Sequence, residues 1–157
     1  MSLAERSLYA EVEAAIDEAT AAIEALGGEA WTRRCAGEGW PVSVTALHIA
    51  LGLRRQAAFI ALAARGEAPF AFDWEATHAL NARVAARGAP TKEIVRRELH
   101  KGRARLLGLL DGMGDEGLGR AALTYREHRF DVRDVVRRVV LPHLRGHLAS
   151  ILAAVGA

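Results

Sequence analysis

Apolar positions along this chain recur every three or four residues over four long stretches, the spacing of amphipathic helices rather than strands. In the first, Leu8, Val12, Ile16, Ala19, Ile23 and Leu26 share one face. Ser2 and Glu5 make a capping-box pair ahead of them, and Gly27-Gly28 ends the run after about seven turns. A loop to Pro41 follows, carrying Trp31, Cys35 and Trp40. The second helix is predicted from about Val42 to Arg65, with Pro41 in a first-turn position and Gly66 at its end. Val44, Leu47, His48, Leu51, Ala58 and Leu62 fall on one side of it, so His48 is expected to face the core.

Beyond a turn at residues 67–72, Asp73 is a plausible N-cap for a shorter helix from Trp74 to about Arg87. Its Trp74, His78 and Asn81 form a mixed polar-aromatic face, suited either to lining a pocket or to half-exposed packing. Thr91 caps the next long helix, whose apolar side is Val95, Leu99, Gly102, Leu106, Leu109 and Leu110. Gly112, Gly114 and Gly117 then end regular structure. Residues 121–130 show only a hint of extended chain, at Leu123, Tyr125 and Arg129, and no convincing strand pattern. Asp131 caps the last helix, with Asp134 in its first turn favouring the helix dipole. This inventory predicts an all-α fold, a four-helix bundle whose long second connection holds a short extra helix, as a single domain over residues 1–157.

Composition agrees with an ordinary globular domain: 51% hydrophobic and 25% charged residues. Charge is uneven, with net −5 over residues 1–80 and +7 over residues 81–157. The arginines are interleaved with acids and no nucleic-acid reading element accompanies them, so a solvated surface is expected and no nucleic-acid partner. No uninterrupted apolar run reaches membrane-spanning length, and the first residues do not form a secretory signal; the expected location is the cytoplasm. Cys35, the single cysteine, excludes an internal disulfide and a cysteine-rich metal site.

The candidate chemistry lies in the last helix. Val132, Val136, Val140, His143, His147 and Ile151 recur at 4, 4, 3, 4 and 4, a core-facing stripe that includes two histidines one turn apart. Buried imidazoles need hydrogen-bond partners or a metal. An inward histidine on helix two and an inward pair on the last helix together point to metal ligation. Pro142 lies just before the pair; inside a helix it removes the amide that would bond Arg138, at about 3 kcal/mol or more, so a bend that re-aims His143 is predicted.

Gly39-Trp40-Pro41-Val42 followed by Leu47-His48-Ile49-Ala50 resembles the "GW(T/S)V…LxHLA" segment of the DinB/YfiT-like metalloenzyme superfamily. Leu141-Pro-His143-Leu-Arg-Gly-His147-Leu-Ala-Ser-Ile151 is similar to that family's "HxxxHxxxI" helix. Relatives include bacillithiol transferases and the N-terminal domain of the mycothiol-dependent maleylpyruvate isomerase, whose accompanying second domain has no counterpart in this sequence. The resemblance implies a bundle in which His48, His143 and His147 bind one divalent metal. Three imidazoles leave open positions, as catalytic sites do; zinc suits the site, and nickel and iron are also compatible by ligand type. It further implies a small-molecule substrate, a low-molecular-weight thiol as co-substrate and a homodimer. Thiol transfer and hydrolysis are the reactions expected, with Glu127, His128 and Asn81 as candidates for supporting roles. The alternative is a non-catalytic dimeric bundle with structural histidines.

Overall fold

The computed structural model describes residues 1–157. Helix α1 (Leu3–Glu24) begins at Ser2, whose hydroxyl accepts the Glu5 amide while the Glu5 carboxylate accepts the Ser2 amide, the predicted capping box. After a single helical turn, α2 (Gly28–Trp31), the chain enters α3 (Val42–Ala64) and turns out of it at Gly66, where φ is +69°. The second connection contains β1 (Phe70–Ala71) and α4 (Trp74–Ala86), the latter capped by Asp73, which accepts the Glu75 and Ala76 amides. Then come α5 (Lys92–Leu110), capped by Thr91, and a short α6 (Gly114–Leu118). β2 (Ala121–Tyr125) and β3 (His128–Asp131) form a hairpin. Asp131, in a second capping box with Asp134, starts α7 (Val132–Val135), which runs through a π-helical turn (Val136–Val140) into α8 (Leu141–Val155).

Helices α1, α5, α3 and α8 form a ring around one core, each packed on the next, and α1 closes it against α8. Ion pairs record the directions. Arg96 with Glu24, and Arg103 with Asp17 and Glu13, run α1 antiparallel to α5. α3 and α5 run parallel: Gly102 lies against Leu53 and Ala50, and the strands that follow the two helices pair in parallel, Phe70 with Leu123. Two parallel neighbours cannot be joined by a hairpin, which is why the second connection is long. Its return end is fastened beside α1, where the Lys92 ammonium donates to the Glu24 and Leu26 carbonyls at 2.6 and 2.5 Å and caps the helix C-terminus.

Several expectations need correction. The three strands, in the order β1-β2-β3, were not predicted; strands of 2, 5 and 4 residues are too short to display a period. The loop predicted from Gly27 to Pro41 contains the α2 turn, and the glycines after α5 admit α6. On α3, the fully buried side is Ala46, Ile49, Ala50, Leu53, Ala57 and Ile60; Leu47, Leu51 and Leu62 are half-buried and Ala58 is exposed. The helix is therefore apolar on two sides, and it is long and apolar enough to cross a membrane by length and composition alone. Here 56% of its most apolar window is buried in the protein, against α5 and α8. Of the two readings of the Trp74–His78 face of α4, the structure fits half-exposed packing: Trp74 is 51% exposed and stacks on His78, with ring centroids 5.3 Å apart.

Candidate metal centre

His48 on α3 meets His143 and His147 on α8, where the two helices pass antiparallel. The ring centroids are 4.7 Å apart for His48–His143 and 4.6 Å for each of the other two pairs. One ligand atom from each ring falls within 4.8 Å of the others. His48 Nε2 and His143 Nε2 are 2.9 Å apart, a hydrogen bond in which one neutral ring carries its hydrogen on Nε2 and the other presents a lone pair.

Gly52 makes this approach possible. One turn beyond His48, it leaves a gap that the His143 ring occupies; a Cβ there would lie 2.6 Å from His143 Cε1. The π-helical turn ahead of α8 sets the rotation of the pair. The Leu141 amide bonds the Val136 carbonyl, five residues back, so the helix adds a residue before Pro142, which has no amide to give. Where a bend was expected at Pro142, the structure has a π-helical turn over Val136–Val140, which ends two residues before the proline.

The third ring is oriented from the loop before α3. His147 Nδ1–H donates to Glu38 Oε1 at 2.8 Å, and Ser150 Oγ donates to Glu38 Oε2 at 2.6 Å. Both carboxylate oxygens are engaged, Nδ1 is committed, and Nε2 of His147 is left to face the other rings. The loop is held by the Cys35 amide donating to the Trp40 carbonyl and the Gly39 amide to the Cys35 carbonyl, both at 2.8 Å. Gly39 adopts φ +71°, a conformation costly for other residues, and it separates Glu38 from Trp40, whose indole meets the His48 ring edge at 5.2 Å. The buried Cys35 thiol sits in the core and anchors the loop from below.

Electrostatics favour neutral, ligand-competent rings. Burial chiefly, with His147 nearby, lowers His48 to about 4 despite the opposing pull of Glu38. Burial again, with His48 and His147, lowers His143 to about 3. Burial pushes the Glu38 carboxyl up, but hydrogen bonds from Ser150 and His147 outweigh it and hold the group below the usual carboxylate range. Neutral imidazoles are what a divalent ion requires, and an all-nitrogen set suits zinc, nickel, copper or iron rather than calcium or magnesium.

The structure therefore gathers all three histidines singled out by the sequence. It does not gather the supporting candidates: Glu127 and His128 are exposed on the β2–β3 hairpin, Asn81 lies on α4, and none hydrogen-bonds a ring. The supporting residue is Glu38, which the sequence reading missed. Nothing marks it among 19 acids except its place immediately before the Gly39-Trp40 pair. In comparisons with known proteins, a family model described as DinB superfamily matches residues 11–151. No curated protein and no solved structure matches.

Proposed function

This chain belongs to the DinB superfamily, and from that premise we propose that it is a metal-dependent enzyme, with His48, His143 and His147 as ligands of one divalent ion. The observation that carries this is the convergence of three half-buried imidazoles, one of them, His147, oriented by a carboxylate through its far nitrogen. That carboxylate–histidine pairing is the usual support for a metal-ligating histidine, because it fixes the tautomer and strengthens the ligand. A divalent ion held by three nitrogens supplies a Lewis acid with open positions, able to make a thiol or water nucleophilic near neutral pH.

Between transfer of a low-molecular-weight thiol and hydrolysis, the surroundings favour thiol transfer. Hydrolysis ordinarily recruits a free general base beside the nucleophile. The one acid that bonds a ring here, Glu38, has both oxygens occupied by His147 and Ser150. A thiol, once ionised, remains nucleophilic without such a base. Zinc is the ion we favour, with nickel and iron served by the same ligand set.

Purification without an affinity tag, followed by elemental analysis and reconstitution, tests the metal. The expected result is close to one equivalent of a transition metal, lost in His48→Ala and His143→Ala, and a metal-dependent rise in melting temperature. Less than about a tenth of an equivalent, with no such rise, overturns the reading, since site and fold would then be uncoupled. Consumption of small thiols by an aryl halide, dependent on the restored metal, tests the reaction separately.

A further inference from the structure

A second feature lies two turns further along α3. Arg55 is seven residues beyond His48, about 10 Å along the axis, and opens onto a groove of about 280 Å³ between α3, α5 and β1. This is near the lower end of small-molecule sites, about 300 Å³ upward. One wall is apolar: Phe59 and Phe70 stack with centroids 4.6 Å apart, and Leu62 continues the surface. The other groups around it are three guanidinium ions, Arg55, Arg65 and Arg105.

Their charges are unevenly compensated. Arg65 is bound through two nitrogens to Glu67, at 2.9 and 3.1 Å. Arg55 forms no ion pair; its one hydrogen bond goes to the neutral Thr77 hydroxyl at 3.0 Å, and its carbon sits 5.9 and 6.0 Å from the Phe59 and Phe70 ring centres. Arg105 forms no ion pair either, although Arg54, Arg96 and Arg103 on the same two helices all do. A partly buried cation without an acid is costly, and burial depresses its proton affinity. The Thr77 bond and the two rings fix the guanidinium in one orientation and leave most of its five donors unspent.

We propose that this groove is a binding site for a small amphipathic carboxylate, with the anionic head between Arg55 and Arg105 and the apolar body on Phe59, Phe70 and Leu62. A planar guanidinium held rigid offers the paired donors that a carboxylate accepts. The apolar wall selects against bare inorganic anions. The site is independent of the histidine centre, and its test runs on metal-free protein.

The test titrates 4-fluorophenylacetate into metal-free protein, followed by fluorine NMR. Saturable binding is expected, weakened at least about tenfold for the neutral 4-fluorophenylacetamide, because the charge-assisted bonds are lost. Arg55→Gln and Arg105→Gln should each weaken binding at least about fivefold while the circular dichroism spectrum is kept. Arg105 is exposed, so its variant serves even if loss of the Arg55–Thr77 bond loosens α4. Equal binding of the amide, wild-type binding by both folded variants, displacement by inorganic phosphate at equal concentration, or no saturation would each overturn the assignment.

Discussion

At the scale of single residues the site rests on two that are not ligands. Glu38 ties the loop before α3 to His147 and Ser150 on α8, so it both fixes a ring and closes the bundle end. Replacing it by Gln keeps the shape but leaves a neutral acceptor; metal affinity should fall about 10- to 100-fold, the usual cost of losing such a partner. Competition against a chromophoric chelator measures this, and an unchanged affinity means that the ring is oriented by packing alone. Gly52 acts by being small. Ala would raise helix propensity by about 0.8–1 kcal/mol, yet its Cβ would meet the His143 ring. Gly52→Ala should lower metal affinity on the order of tenfold, because ligand sets tolerate only about 0.5 Å of displacement. A variant that melts higher with affinity intact would show that the ring can swing aside freely.

At the scale of elements, the π turn is the device that aims the last helix. Positions spaced by four drift about 40° per step around a 3.6-residue helix, and the under-wound turn over Val136–Val140 offsets that drift before His143. Pro142→Ala restores an amide to Arg138 and removes the reason for the extra residue. The metal-free variant should melt at the same temperature or higher while binding metal more weakly; equal affinity would assign the turn to core packing by Val140 and Leu141. The same contrast between local and non-local causes explains what the sequence disclosed. The capping box at Ser2–Glu5 and the Asp131 cap were readable because every interacting atom lies within three residues. The stripe through the last helix was readable in part: Val132, Val136, Val140 and Ile151 are buried, while His143 and His147 lie half-buried beside Leu144 and Leu148. On α3 the period misidentified the core side, since a helix shared by two neighbours is apolar nearly all round; His48 was correctly expected to point inward only because it lies on the α8 side of that surface. The β1–β2 pairing and the Glu38–His147 bond depend on segments about 50 and 109 residues apart, which no local period reveals.

For the whole molecule, burial of the His48 and His143 rings makes stability depend on pH. In the unfolded chain both histidines protonate near 6.5, whereas in the fold His48 stays neutral to about 4 and His143 to about 3. The unfolded state therefore binds more protons between these values, and stability rises with pH there. Metal-free protein should be fully stable above about pH 6.5, by this contribution, and lose stability progressively as pH falls toward 4. Glu38 titrates below its ordinary 4.5 in the fold, so its loss belongs to lower pH and does not overlap the upper part of the window. Thermal melts of metal-free protein from pH 7.5 to 4.5 should slope downward, and the slope should shrink in His143→Asn, which removes the more strongly shifted group. A flat wild-type profile would mean that the His48 and His143 rings are hydrated and charged in the fold, and the case for them as neutral ligands would fail with it.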